Sequence, residues 1–260
     1  MDGSGVRDVI RGAGDHPVVV MGARLGYAVN GLVHLLIAWI GIQLAMGTPT
    51  TTADQSGALQ TLAGTAFGAI WLWAGALGFA FLALWQVTEA IVRRGTGERL
   101  KAAGRTVVYV ALSLTCVGTV RGSGSQSTQQ TQEASSSLLN RPFGTPLVVL
   151  VGIAIIGVGG YHVHKGWVQR FLRDLTEQPG RWAVIAGRYG YIAKGVALAI
   201  VGGLFILAGV RQSASESTGL DGAMHKLLEL PGGRVSLIVI AVGFAAYAAY
   251  SFARAKFARI

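Results

Sequence analysis

Residues 187–195 read GRYGYIAKG and begin a long apolar stretch that continues to residue 210. A similar segment, ARLGYAVNG at 23–31, begins another apolar stretch, and GRTVVYVAL at 104–112 begins a third. An arginine occupies the same place in each copy, as Arg24, Arg105 and Arg188. Segments that recur at a spacing of about 80 residues indicate an internal repeat, so each further motif is compared between the copies.

Each copy contains a second apolar stretch that begins at a glycine. Gly68, Gly144 and Gly233 each follow a leucine by six residues and precede an aromatic residue by 17. The leucines are Leu62, Leu138 and Leu227, and the aromatic residues are Trp85, Tyr161 and Tyr250. An even number of spans returns the chain to the same side of a membrane, so the copies are predicted to be parallel repeats.

Six stretches have the length of about 20 mostly apolar residues that a membrane span requires. They cover residues 25–46, 66–92, 102–120, 144–163, 189–210 and 235–253, and the third is long enough only if Arg105 lies at the membrane interface. We predict an all-α polytopic membrane protein with six transmembrane helices, arranged as three parallel two-helix repeats with pseudo-threefold symmetry. The predicted divisions are an N-terminal segment 1–23 and repeats 24–94, 95–170 and 171–260.

The composition supports a membrane protein. Of the 260 residues, 52% are hydrophobic and only 13% are charged, whereas about 25% are charged in an ordinary soluble domain. These values argue against a soluble enzyme, a disordered chain and a coiled coil. The single cysteine, Cys116, excludes a disulfide within the chain.

The distribution of lysine and arginine predicts the orientation. Of the lysine and arginine residues outside the spans or at their ends, 16 lie on the side of both termini and five lie on the other side. The larger group is Arg7, Arg11, Arg24, Arg93, Arg94, Arg99, Lys101, Arg105, Lys165, Arg170, Arg173, Arg181, Arg188, Arg254, Lys256 and Arg259. Because positive loops stay in the cytoplasm, we expect a multi-pass plasma (inner) membrane protein with cytoplasmic N- and C-termini. A basic face beside anionic lipid accounts for the net charge of +10 without nucleic acid.

The repeated motifs resemble those of a family of bacterial membrane proteins, the domain-of-unknown-function family 1206. The resemblance rests on Arg-x-x-Tyr-x-x-x-Gly at the start of one span and Leu-x5-Gly at the start of its partner, and it covers about residues 23–258. It implies tandem two-helix modules, commonly three per chain, and it provides no catalytic residues that could be transferred to this sequence. Repeat 2 departs from the pattern, since its tyrosine is displaced by one place to Tyr109 and Leu112 replaces the glycine.

Polar residues inside the spans are the candidate functional residues, because an ionisable group in the membrane costs about 2.5–3.5 kcal/mol on insertion scales. They collect in the cytoplasmic third, and the polar cluster predicted there consists of Asn30, His34, Glu89, His162, Lys165, Lys194 and Arg254. The cluster is interpreted as structural, as a cytoplasm-facing polar cavity, or as a haem site with His34 and His162 as ligands. No metal site or other cofactor is predicted.

Glu89 is the only acidic residue within the six predicted spans. Its counterparts in the other repeats are Lys165 and Arg254, which are basic. We therefore predict that Glu89 faces the interior and pairs with a cation, and Lys194 is the first candidate because it lies deepest. An unpaired buried charge costs about 3–5 kcal/mol when its partner is removed.

No enzyme motif is present: the sequence has no phosphate-binding glycine loop, no HExxH and no nucleophile elbow. We predict a non-catalytic membrane protein that serves as an accessory or scaffold subunit of a bacterial cell-envelope complex. Its expected partners are the lipid bilayer and other membrane subunits. The alternatives are a transporter or channel for a small solute, ion or lipid, and a haem-binding protein.

The three Ser-, Thr- and Gln-rich connections are each followed by a leucine-bearing segment, which predicts a short helix before each returning span.

Overall fold

The computed structural model describes residues 16–48, 51–92, 95–122, 127–176 and 180–258. The predicted N-terminal segment lies outside the described residues up to residue 15. Nine α-helices form in the described part: α1 Pro17–Ala45, α2 Gln55–Ala63, α3 Gly68–Val92, α4 Thr96–Val120, α5 Ser127–Leu139, α6 Gly144–Trp167, α7 Arg181–Arg211, α8 Leu220–Leu228 and α9 Gly233–Phe257. Two short 3-10 helices, Arg170–Asp174 and Ala214–Glu216, follow α6 and α7.

Six of these helices, α1, α3, α4, α6, α7 and α9, are long and apolar enough to cross a membrane. The predicted all-α membrane fold with six spans is confirmed. The first helix begins earlier than its predicted span, at Pro17, where proline fits because the first turn of a helix needs no N–H donor. The third span also begins earlier, at Thr96, so its polar first turns add to the short apolar part and the helix reaches 25 residues.

Each repeat consists of a long helix, a short helix and a second long helix. The predicted short helices form as α2, α5 and α8. By connectivity they lie at the end of the bundle away from both termini, which we call the loop end. The other end, where α1 begins and α9 ends, is called the terminal end.

The Leu-x5-Gly spacing is explained by a turn between each short helix and the following long helix. The amide N–H of Gly68, Gly144 and Gly233 donates to the carbonyl oxygen three residues earlier, over 2.9, 2.9 and 2.8 Å. The residue that accepts this bond in turn donates its own amide N–H to the carbonyl oxygen of the repeated leucine, which is Leu62, Leu138 or Leu227. A Cβ atom on any of the three glycines would overlap that leucine carbonyl oxygen. The turn therefore requires glycine in all three repeats.

The long helices are neighbours in the order α4, α3, α1, α9, α7, α6. A closed pseudo-threefold ring would add a contact between α4 and α6, the two long helices of repeat 2. Within the described residues these two helices share no interface comparable with the other five. Repeats 1 and 3 thus pack their own long helices together, whereas repeat 2 leaves a space that we call the α4–α6 gap.

Glycine allows the closest helix packing, between α6 and α7. Gly152 and Gly159 of α6 are seven residues apart, as are Gly195 and Gly202 of α7, so each pair lies on one face. A Cβ atom on any of them would come within 2.7 Å of a backbone oxygen across the interface. Small residues permit this backbone contact in lipid, where packing rather than burial holds helices together.

Large apolar side chains fill the centre of the bundle. Val33 and Ile37 of α1 are buried with Leu72 and Phe79 of α3 and Leu237 of α9. A cavity of about 410 Å³ lies on the other side, between α5, α6 and α7, and Ser135, Val148 and Phe205 are among its lining residues. The interior is thus packed around α1 and more open beside repeat 2.

Candidate functional site

Four buried tyrosines and two cations form a group in the half of the bundle near the terminal end. We call this group the tyrosine–cation cluster. Its members are Tyr27 of α1, Tyr191 and Lys194 of α7, and Tyr247, Tyr250 and Arg254 of α9. Most of the polar residues predicted from the sequence lie in or beside it.

Hydrogen bonds join α1 to α9 next to the cluster. The side-chain amide of Asn30 donates to the hydroxyl of Ser251 over 3.1 Å, and that hydroxyl donates to the carbonyl oxygen of Tyr247 over 2.9 Å. The imidazole Nδ1 of His34 lies 2.8 Å from the carbonyl oxygen of Asn30. Because a carbonyl only accepts, Nδ1 carries the proton in this contact and Nε2 of His34 is an acceptor.

Lys194 uses that acceptor. Its ammonium lies 3.3 Å from Nε2 of His34 and 4.5 Å from the centroid of the Tyr247 ring. The face of an aromatic ring carries partial negative charge and attracts the cation. Lys194 is therefore held by a neutral imidazole and a π face rather than by a carboxylate.

Arg254 is held in a similar way on the other side of the cluster. Its Nη2 donates to the hydroxyl of Tyr27 over 2.9 Å, and its guanidinium carbon lies 4.1 Å from the centroid of the same ring. The Nε atom of Arg254 is buried and has no hydrogen-bond acceptor within the described residues. A guanidinium has five N–H donors, so this group retains unused donor capacity.

Lys165 forms the one ion pair beside the cluster that the described residues contain. Its Nζ lies 2.6 Å from Oδ2 of Asp174, in the 3-10 helix after α6, and 4.9 Å from the Tyr191 ring centroid. The Tyr250 hydroxyl donates to the carbonyl of Phe171 in the same short helix over 3.1 Å. These contacts attach the segment after α6 to α7 and α9.

The predicted ion pair between Glu89 and Lys194 is wrong. Within the described part of the chain, each candidate cation contacts another group: Lys194 contacts His34, Lys165 contacts Asp174 and Arg254 contacts Tyr27. The prediction used depth along the helix axis, and depth alone does not determine which way a side chain faces.

The structure separates the other predicted residues. His162 donates from Nδ1 to the carbonyl oxygen of Val158 over 2.8 Å, and its ring centroid lies 5.8 Å from that of Tyr191. The repeated arginines lie apart from the cluster: Arg24 and Arg105 are exposed, and Arg188 stacks on Trp167 with 5.2 Å to the ring centroid. The repeated arginine position at the start of α1, α4 and α7 therefore does not belong to the cluster.

Sequence analysis missed the tyrosines and Asp174. Tyr27 and Tyr191 occupy one repeated position, and Tyr250 occupies another, so the repeat contained a signal for them. Asp174 follows Lys165 by nine residues, beyond the end of α6, in a segment that is mainly basic. The informative acid was thus Asp174, which lies outside the spans, rather than the acid within a span.

Replacing Asp174 with alanine is expected to lower the free energy of unfolding by about 1–2 kcal/mol, between the values for exposed and buried ion pairs. The side chains of Lys165 and Asp174 are only 15% and 31% exposed, so solvent screens the pair incompletely. Thermal or denaturant unfolding in detergent measures the change. Glu229→Ala, which removes the exposed pair with Lys226, is the control and should cost less than about 0.5 kcal/mol. Equal effects of the two substitutions would contradict the assignment.

Three segments of the chain, residues 25–93, 100–169 and 189–258, match the sequence model of a family described as Domain of Unknown Function (DUF1206). The chain belongs to this family. Each DUF1206 match contains one set of a long, a short and a second long helix, which confirms the resemblance predicted from the repeated motifs.

A relative of the chain is found in Bacillus subtilis (strain 168), as the uncharacterized protein YxxB. It is 28% identical over 241 residues, which cover 88% of this chain and 87% of that protein. The similarity therefore extends over all three DUF1206 repeats rather than over one of them. No solved structure matches the chain.

Proposed function

We propose that the chain is a non-catalytic accessory or scaffold subunit of a bacterial membrane complex. In this proposal it lies in the plasma membrane with both termini in the cytoplasm, which the excess of lysine and arginine at the terminal end supports. The partner is a transmembrane helix of another membrane protein, and it occupies the α4–α6 gap.

The observation that carries the proposal is a difference between equivalent positions of the three repeats. Leu82 of repeat 1 and Tyr247 of repeat 3 are 0% and 6% exposed within the packed helices. Val158, at the same position of repeat 2, is 49% exposed, although it occupies the middle of α6. This position is packed against other helices in repeats 1 and 3, whereas in repeat 2 no helix of the described residues covers it.

A second position on the same face follows this pattern. Val151 lies two turns before Val158 and is also exposed, whereas its repeat 3 counterpart, Ile240, is buried. The glycine face of α6, with Gly152 and Gly159, is already used against α7. The valine face is a separate surface beside it, and a partner helix packed there would complete the ring.

The alternatives receive different support. The cavity of about 410 Å³ between α5, α6 and α7 favours a transporter, because Val151 of the exposed valine face is among its lining residues. Packed apolar side chains around α1 favour a scaffold over a channel through the centre. A haem site has less support, because Nε2 of His34 already binds Lys194 and the His34 ring lies 4.7 Å from that of Tyr247.

Affinity purification from native membranes in a mild detergent, followed by mass spectrometry, tests the proposal. We expect a stoichiometric membrane partner with the wild-type chain. Val158→Trp should reduce the amount of partner at least about fivefold, since overpacking an interface costs about 1–3 kcal/mol. Val242→Trp is the control, because Val242 is an equally exposed valine on α9, and it should retain the partner.

A monodisperse wild-type protein with no stoichiometric partner would contradict the proposal. So would equal amounts of partner with Val158→Trp and Val242→Trp. Thermal unfolding of both variants verifies that any loss of partner does not come from a loss of the fold.

A further inference from the structure

The tyrosine–cation cluster holds two cations without a matching carboxylate. Neither Lys194 nor Arg254 has a carboxylate oxygen within 4.0 Å in the part of the chain that the structure describes. Asp174 is already paired with Lys165. Cations in membrane helices are costly and usually mark a ligand or ion pathway. The interior charge thus favours an anion from outside the chain.

The contacts of both cations lie on one face of α1, because His34 and Tyr27 are seven residues apart. Side chains on a helix lean towards its N-terminus. Lys194 of α7 therefore leans towards the terminal end, and Arg254 of α9 leans away from it. The centroid of the Tyr247 ring lies 4.5 Å from the ammonium of Lys194, and Tyr247 shares its face of α9 with Arg254, seven residues later.

Unused hydrogen-bond donors point to the chemical class of the ligand. The Nε of Arg254 is buried without an acceptor, and the ammonium of Lys194 has one hydrogen-bond acceptor for its three N–H groups. Tyr27 accepts a bond from Arg254, which leaves its own hydroxyl proton to donate. Arginine, lysine and hydroxyl donors together are the groups that recognise phosphate oxygens.

We infer that Lys194, Arg254 and Tyr27 form a binding site for a phosphate group, supplied by the headgroup of an anionic phospholipid or by a soluble phosphate ester. On the side of α6, the site lies near His162, whose ring centroid is 5.8 Å from that of Tyr191. It does not depend on the partner helix proposed above.

Two probes distinguish the sources of phosphate. Purified protein in a neutral detergent is mixed with dioleoylphosphatidylglycerol or zwitterionic dioleoylphosphatidylcholine, and native mass spectrometry counts the retained lipid. In parallel, thermal unfolding is measured in sodium phosphate and in sodium chloride of equal ionic strength. Preferential retention of one phosphatidylglycerol per chain identifies a lipid headgroup, and a higher Tm in phosphate identifies a soluble ligand. If neither is observed, the inference is overturned.

Variants locate the site. Lys194→Gln and Arg254→Gln should each weaken binding of the effective probe about tenfold, the effect of losing one charge-assisted hydrogen bond. Lys256→Gln removes an exposed cation two residues after Arg254 and should change binding less than about twofold. Equal binding by the three variants would overturn the inference. If Lys194→Gln does not fold, Lys194→Met replaces it, because methionine is uncharged and suits a membrane helix.

Discussion

Replacing Gly202 with alanine is expected to lower the free energy of unfolding by about 2–3 kcal/mol, as for an overpacked interface. A Cβ atom at this position would come within 2.6 Å of the carbonyl oxygen of Gly152 on the facing helix and 2.7 Å of the Ile156 side chain. Two backbones must then separate, and the contacts along α6 and α7 are lost together. Denaturant unfolding in detergent, followed by circular dichroism, measures the loss.

The adjacent glycine is a matched control. Gly203 has no atom within 4 Å of a built Cβ atom. Alanine in a helix is favoured over glycine by roughly 0.5–1 kcal/mol, so Gly203→Ala should leave stability unchanged or raise it. The same substitution at adjacent positions is thus expected to have opposite signs. Destabilisation of similar size at both positions would show that α6 and α7 do not pack through this glycine face.

Replacing Gly68 with alanine should cost about 2–3 kcal/mol for a different reason. The new methyl group would overlap the carbonyl oxygen of Leu62, which belongs to the turn between α2 and α3. Either the turn opens and loses its hydrogen bonds, or α3 moves away from α2. Because Gly144 and Gly233 have the same geometry, the substitution should have a similar effect in each repeat. Thermal unfolding of the three variants measures it.

Gly64, four residues earlier, provides the control for this prediction. Its backbone is right-handed helical, and a Cβ atom there would lie 3.5 Å from the nearest oxygen, an ordinary contact. Gly64→Ala should therefore change stability by less than about 0.5 kcal/mol. If Gly68→Ala were equally harmless, the glycine of the repeat would not be required by the turn.

The sequence was sufficient to predict the helices and the repeats. Apolar length alone located six spans, and the spacing of Leu62, Gly68 and their counterparts located the short helices. These features depend on local segments of the chain, which carry their own hydrophobic and turn signals.

The contacts of the candidate site were not predictable in the same way. Lys194 and its acceptor His34 are 160 residues apart, and Arg254 and Tyr27 are 227 apart. Such contacts depend on which faces of α1, α7 and α9 meet, and helices that are apolar on nearly all sides carry little signal for that. The α4–α6 gap is also invisible in the sequence, because Val158 is as apolar as its buried counterparts.

Photo-crosslinking from position 158 in native membranes tests the central claim most directly. The photoreactive residue p-benzoylphenylalanine is placed at position 158, on the valine face of α6, and separately at position 242, on the exposed face of α9. We predict one discrete protein adduct from position 158 under ultraviolet light, and none from position 242. Lipid adducts alone at position 158, or the same protein adducts from both positions, would contradict a partner helix in the gap.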